Sequence, residues 1–283
     1  MSVKMRRFGD QQAVPAIGQG TWYMGQSSAH RAQEAAALRA GVELGLTVID
    51  TAEMYADGGA EEVVGEAIHG LRDRVTLVSK VYPWHAGGHK MREACEASLR
   101  RLKSDYLDLY LLHWPGEFPL AETVEAMEAL VAQGKIRRWG VSNFDTDDMQ
   151  ALWQVPGGRR CATNQVLYHL ASRGIEYDLL PWCQQQLPVM AYSPLAQAGR
   201  LRDGLMNHPA LNGLAREKGV TVAQLLLAWI ISHEGVMAIP KAGSIAHVKE
   251  NAAALELVLD ENDIAVMEQA FPAPGRKTPL DMV

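Results

Sequence analysis

The sequence predicts a (β/α)8 barrel, and two observations carry that expectation. Short β-branched or apolar runs alternate along the chain with segments of helical apolar spacing, as βα units around a parallel sheet do. Each run also ends on a polar residue that a purely structural strand does not need: Asp50, Lys80, His113, Asn143, Gln165, Tyr192 and Lys241. These residues lie 30, 33, 30, 22, 27 and 49 positions apart. The first five spacings match one βα unit each, and the last leaves room for an extra helix. A further strand ahead of Thr21 brings the strands to eight, which close into a barrel with its chemistry at the C-terminal strand ends. The alternative, an open doubly wound sheet, more typically carries a glycine-rich phosphate loop after its first strand. Here Gly18-Gln19-Gly20 runs into Thr21-Trp22-Tyr23-Met24-Gly25, which is not GxGxxG.

Taken in order, Arg6–Val14 contains Gly9-Asp10 and reads as a small hairpin ahead of the first strand, Ile17–Gly20. Thr47–Asp50 is strand-like and Ala60–His69 helical. Val75–Lys80 precedes a helix over Met91–Leu102. The apolar run Leu107–His113 precedes a helix over Leu120–Gln133. Ile136–Asn143, Asp145–Val155, Ala162–Gln165, Tyr177–Gln186 and Val189–Tyr192 continue the alternation. Thr221–His233 supplies the extra helix, amphipathic in pattern, before the strand Val236–Ile239 and the helix Ile245–Ala254. Gly45, Gly134 and Gly219 read as helix-to-strand turns, where a left-handed residue ends a helix.

The 283 residues include 48% hydrophobic and 21% charged side chains, with no linker or composition break, so residues 1–283 read as one domain. A net charge of −6 without like-charge runs argues against nucleic acid or an anionic membrane as partner. The longest apolar run, Leu225–Ile231, is too short to span a bilayer. Met1–Arg7 has charge but no apolar stretch behind it, so no signal peptide is expected there. Cys95, Cys161 and Cys183 are few, scattered and lack CxxC spacing, which suits free core thiols in a reducing, cytoplasmic setting.

The chemistry lies in Asp50, Tyr55, Lys80 and His113, which a barrel brings to one mouth. A tyrosine is a weak acid, and a neighbouring ammonium favours its phenolate. An aspartate holds that lysine charged and in place. Such a tyrosine can protonate a carbonyl oxygen as it gains negative charge, while a histidine donates a second hydrogen bond. None of these groups supplies electrons, so a nicotinamide cofactor is the logical hydride donor.

The strings GLTVIDTAEMY, LVSK, DLYLLHWP, GKIRRWGVSN, Asn164-Gln165, AYSPLAQ and IPKAGSIAHVKEN resemble the aldo-keto reductase superfamily over about Phe8 to Pro272. Within it, the chain is most similar to bacterial monomeric reductases of 2-oxoaldehydes such as methylglyoxal. The resemblance implies a catalytic tetrad of Asp50, Tyr55, Lys80 and His113, with Tyr55 the general acid in reduction. It implies that Ser142, Asn143 and Gln165 bond the nicotinamide carboxamide and that Tyr192 stacks under its ring. Gly20, Thr21 and Trp22 then border the cofactor, and Ser193, Pro194, Leu195 and Gln197 run along its pyrophosphate. Lys241, Ser244, His247, Glu250 and Asn251 surround the adenosine phosphate and adenine, at a helix N-terminus that attracts phosphate.

Two positions depart from the family pattern. Ala242 stands where a serine or threonine is common, and His247 where an arginine is common. An arginine offers a permanent charge and a planar fork for the 2′-phosphate. His247 lacks that fork, so NADPH remains the expected cofactor with its preference over NADH, the alternative, weakened. Trp22, Trp84 and Trp114, with His113, are expected to wall the substrate pocket, which suits a small uncharged carbonyl compound. The proline-bearing tail Phe271–Val283 is expected, from the resemblance, to fold over the mouth. No metal is expected, because Lys, Asn, Gln and Tyr at strand ends are poor ligands. His69, His169, His208 and His233 read as surface or loop residues. The expected function is NADPH-dependent reduction of aldehydes and 2-oxoaldehydes by a monomer. The alternatives are oxidation of a small alcohol or sugar with NADP, a cofactor-sensing regulatory subunit, or a metal-dependent hydrolase.

Overall fold

The computed structural model describes residues 4–8, 13–197 and 199–283. It opens with two antiparallel strands, β1 (Met5–Arg7) and β2 (Ala13–Pro15), so the expected hairpin forms. Its Gly9-Asp10 turn lies outside the described residues. Eight parallel strands follow and pair in sequence order: β3 (Gln19–Gly20), β4 (Val48–Asp50), β5 (Thr76–Val81), β6 (Leu109–Leu112), β7 (Trp139–Ser142), β8 (Asn164–Leu167), β9 (Val189–Tyr192) and β10 (Val236–Ala238). Parallel bridges Ile17↔Ala238 and Gly20↔Lys241 join first strand to last and close the barrel. Gly20 is required at that seam, since a Cβ there would lie 2.7 Å from the Ile239 carbonyl oxygen.

Alternate residues of a strand face the same side, and this places the chemistry. Val48, Val78, Leu109, Leu111, Met190, Met237 and Ile239 pack with Phe8 and Val14 of the hairpin into one buried cluster inside the barrel. The residue two positions further along these strands is Asp50, Lys80, His113, Tyr192 or Lys241. The polar strand ends therefore stand on an apolar plug, on the face that also fills the barrel.

The helices form the outer layer: α1 (Ser28–Glu43), α2 (Gly59–Ala67), α3 (Gly88–Leu102), α4 (Leu120–Ala132), α5 (Thr146–Gln154), α6 (Leu179–Gln184), α7 (Arg200–Met206), α8 (Pro209–Lys218), α9 (Val222–Ile230), α10 (Ile245–Ala253) and α11 (Glu261–Ala270). Of these, α1, α7, α8 and α11 are additional to the helices legible in the sequence. The inner face of α1 includes Ala37 and Gly41, which gives a weak apolar rhythm. Helix α9 is buried almost all round instead of amphipathic, although its start is the expected Thr221, in a capping box with Gln224. Gly219 does end a helix at φ +66°, but the next element is α9 and not a strand. Cys95, Cys161 and Cys183 are free and buried, and burial pushes each thiol up to about 12.

Candidate active site

Lys80 is fully buried, and its Nζ makes three contacts: Asp50 Oδ2 at 2.7 Å, the Thr51 carbonyl at 2.9 Å and the Tyr55 hydroxyl at 3.0 Å. Burial would lower the lysine's pKa, but the Asp50 carboxylate and Tyr55 outweigh it and hold the group above its ordinary value. An isolated buried charge is costly, so the ammonium and carboxylate require each other. For Tyr55, burial pushes the hydroxyl's pKa up and Asp50 adds to the rise, while Lys80 pulls it down. The net direction is upward, against the expectation from sequence that the ammonium lowers the value: burial outweighs Lys80. The hydroxyl stays protonated and can donate.

His113 packs edge-on to Tyr55, with ring centroids 5.8 Å apart. Burial, then the Lys80 charge, lowers its pKa to about 2, so the ring is neutral. Its Nδ1 is buried without a partner. An orphaned lone pair there costs less than an orphaned N–H, which puts the ring proton on Nε2. Trp22 stacks on Tyr55 at 6.0 Å and on Tyr23 at 5.2 Å, giving a flat aromatic wall.

Asp50, Tyr55, His113, Trp22 and Tyr23 border a cavity of about 470 Å3, while Lys80 lies behind them. Gly20, Thr21, Trp22, Asp50, Tyr55, His113 and Trp114 line one part of it, and Ser142, Asn143, Gln165 and Tyr192 another. Ser193, Pro194, Leu195, Gln197 and Lys241 extend it. The amide row is internally bonded: Ser142 Oγ donates to the Gln165 carbonyl, Asn143 Nδ2 to the His113 carbonyl, and Tyr192 Oη to Asn143 Oδ1. A second cavity holds His247, Glu250 and Asn251 and shares Lys241 with the first. Ser244 lines neither; it caps α10 by accepting the His247 N–H.

Trp84 does not line the main cavity; it is 54% exposed and stacks on Tyr82 at 4.2 Å. Tyr23, Met54, Met282 and Val283 line it as well. The tail thus reaches the mouth as expected, held by Lys277 to Asp145 and Asp178 and by Asp281 to Ser172. Met54 carried no sequence signal beyond its place beside Tyr55. His169 is buried, not on the surface, and its Nδ1 accepts the Ala171 N–H. Among the described residues, no three His, Cys, Asp or Glu side chains gather as a metal would need.

Backbone strain gathers at the same mouth. Among the described non-glycine residues, Tyr23, Asn143, Ser193 and Ala196 line the cavity with positive φ, Ala56 and Asp57 have it directly after Tyr55, and Lys103 has it elsewhere. Such conformations persist where surrounding structure over-determines them, typically at functional sites.

The profile of the aldo/keto reductase family matches residues 16–271. The chain belongs to the aldo/keto reductase family. It is 68% identical to "Methylglyoxal reductase YeaE" of Escherichia coli K12 over 284 aligned positions, covering 100% of both chains. It is 35% identical to a glyoxal reductase of Bacillus subtilis, covering 80% of this chain and 79% of that one. Two crystal structures of an aldo/keto reductase from Klebsiella pneumoniae, one with NADP and acetate and one with NADPH, are each 71% identical to it. Each superposes with a TM-score of 0.98 and covers 100% of both chains. The family assigns the fold of this chain and its class as an oxidoreductase.

Proposed function

We propose that this protein reduces aldehydes and 2-oxoaldehydes, methylglyoxal among them, to alcohols with NADPH. The observation that carries the reading is the Tyr55 hydroxyl, 3.0 Å from the Lys80 ammonium and bordering the cavity. The substrate and cofactor named for the close relatives support it.

The lining fits a dinucleotide. Ser142, Asn143 and Gln165 present uncharged amides and a hydroxyl, which suit a neutral carboxamide, and Tyr192 offers a ring beside them. Gln197 Nε2 is buried without a partner, a donor that an incoming acceptor would satisfy. Lys241, His247, Glu250 and Asn251 serve the adenosine end. When bound, the nicotinamide supplies hydride to the carbonyl carbon. Tyr55 supplies the proton to the carbonyl oxygen, and neutral His113 donates from Nε2 to hold that oxygen. Lys80 and Asp50 keep the tyrosine oriented. Trp22 and Trp114 shield the pocket, and these apolar walls beside Tyr55 favour a small uncharged substrate.

Every proposed site residue comes from the one chain, so we read the working unit as a monomer, with residues 1–283 acting as one domain in the cytoplasm. No helix among the described residues is long and apolar enough to cross a membrane. The test is NADPH consumption by purified protein against methylglyoxal and a panel of aldehydes and ketones. Saturable turnover of methylglyoxal is expected; failure to turn over any carbonyl compound overturns the reading.

A further inference from the structure

Leu195, Arg202 and Lys241 border both cavities. They mark the passage between the chamber of Tyr192 and the chamber of His247. A dinucleotide lying in both must thread its diphosphate bridge past them. Two of the three are cations. Arg202 stands on α7 and its Nη1 donates to the Leu195 carbonyl at 3.0 Å and the Ala196 carbonyl at 3.5 Å. No carboxylate of the described residues pairs with it. One arm of the guanidinium therefore anchors the loop, which leaves the charge uncompensated beside the passage. The same loop carries the unpartnered Gln197 Nε2 and the positive φ angles of Ser193 and Ala196.

We propose that Arg202 is a cofactor-binding residue that grips the diphosphate bridge, with Gln197 donating beside it. The proposal rests on the NADPH reading above. A planar, always-charged fork suits phosphate oxygens, and an arm already anchored to the loop reduces the entropy lost on binding. A grip on the diphosphate serves NADPH and NADH alike. It gives the site cofactor affinity that does not depend on the 2′-phosphate, the end where Ala242 and His247 replace the family's usual side chains.

The test titrates wild type, Arg202→Gln and Arg202→Lys with NADPH, NADH, ADP-ribose and adenosine 2′,5′-bisphosphate. Arg202 is half-buried on a helix, so both variants are expected to fold, with unchanged melting temperatures. Arg202→Gln should weaken NADPH, NADH and ADP-ribose by a common factor of about ten or more. Adenosine 2′,5′-bisphosphate keeps only the adenosine-side phosphate of the bridge and should weaken by a smaller factor than the dinucleotides and ADP-ribose. The salt dependence of NADH affinity should flatten, because a charged contact has gone. Arg202→Lys should fall between. Wild type that binds no dinucleotide overturns the functional reading itself. Wild type that binds, with Arg202→Gln equal to it, overturns only the assignment of Arg202. A loss confined to NADPH and the bisphosphate moves the residue to the 2′-phosphate and also overturns it. A loss with unchanged salt dependence makes Arg202 a loop tether and nothing more.

Discussion

Gln165 Nε2 donates to Asp50 Oδ1 at 2.7 Å, across 115 residues of sequence. The other oxygen of that carboxylate takes Lys80 Nζ. One buried aspartate thus joins the amide row to the lysine–tyrosine pair. In Gln165→Glu two carboxyl groups would meet at hydrogen-bond distance, and one must keep a proton in the folded state. The folded pKa of that group is then raised above its unfolded value. Its contribution is retained at low pH and lost as pH rises through the folded value. Denaturant unfolding should show the variant less stable than wild type, with a deficit larger at pH 8 than at pH 5. Equal deficits at both pH values would mean that the Gln165–Asp50 contact does not exist in solution.

Tyr55→Phe should leave NADPH affinity within about twofold and lower kcat by about 10²–10⁴, the usual worth of a general acid. The ring still packs on Trp22 and His113, so only the hydroxyl is removed. A folded variant that binds cofactor and keeps more than about a tenth of wild-type turnover excludes Tyr55 as the proton donor.

Lys80→Met tests the lysine's influence on that acid. Lys80 is the group that pulls Tyr55 down against burial and Asp50. Its removal should raise the hydroxyl's pKa further and shift the alkaline limb of kcat/KM for reduction to higher pH, with lower turnover. The orphaned Asp50 should also cost about 3–5 kcal/mol of stability, measurable by urea unfolding. An alkaline limb that stays in place separates Lys80 from the acid.

Much of this site was legible because barrel geometry turns strand-end spacing into a shared location. Asp50, Lys80 and His113 close strands of the expected period, and each follows an apolar residue two positions earlier that fills the barrel. The converse holds for Trp84. It stacks on Tyr82 and meets the cavity-lining Trp114 edge-on at 5.7 Å, contacts of loop residues that no strand period encodes. Helix α1 was not legible, because its alanines occupy exposed as well as buried positions and its buried face includes Glu34 and Gly41, which leaves little periodic contrast. The Gln165–Asp50 bond depends on barrel closure and side-chain direction, and local sequence carries neither.

His169 gives the fold a pH dependence of its own. Burial lowers its pKa to about 4, opposed in part by Asp281 of the tail. Unfolded histidine titrates near 6.5. Between these values the unfolded chain takes up a proton that the folded chain refuses, so stability falls as pH drops through that window, by about 3 kcal/mol in all. His169→Asn keeps an acceptor for the Ala171 N–H but does not titrate. Its unfolding free energy should decline less than that of wild type between pH 6.5 and pH 4.5. Parallel declines would show that His169 is not buried as a neutral ring.

The last position is His247, exposed on the first turn of α10 and bordering the cavity shared by Lys241, Glu250 and Asn251. An arginine is common at this place in the family. His247→Arg would add a permanent cation with a planar fork next to the proposed 2′-phosphate site. Glu250 lies three residues on, one helical turn away, and would compete for the new guanidinium, which limits the gain. NADPH affinity at pH 8 should rise about tenfold, the scale of one charge-assisted contact. NADH has no 2′-phosphate, so its affinity should change by less than about twofold. The gain should shrink with added salt, because the site is open to solvent. Fluorescence titration of both cofactors at two ionic strengths reads all three quantities. An equal gain for NADH would place the new cation against some other part of the dinucleotide, and no gain for either would remove His247 from the cofactor site.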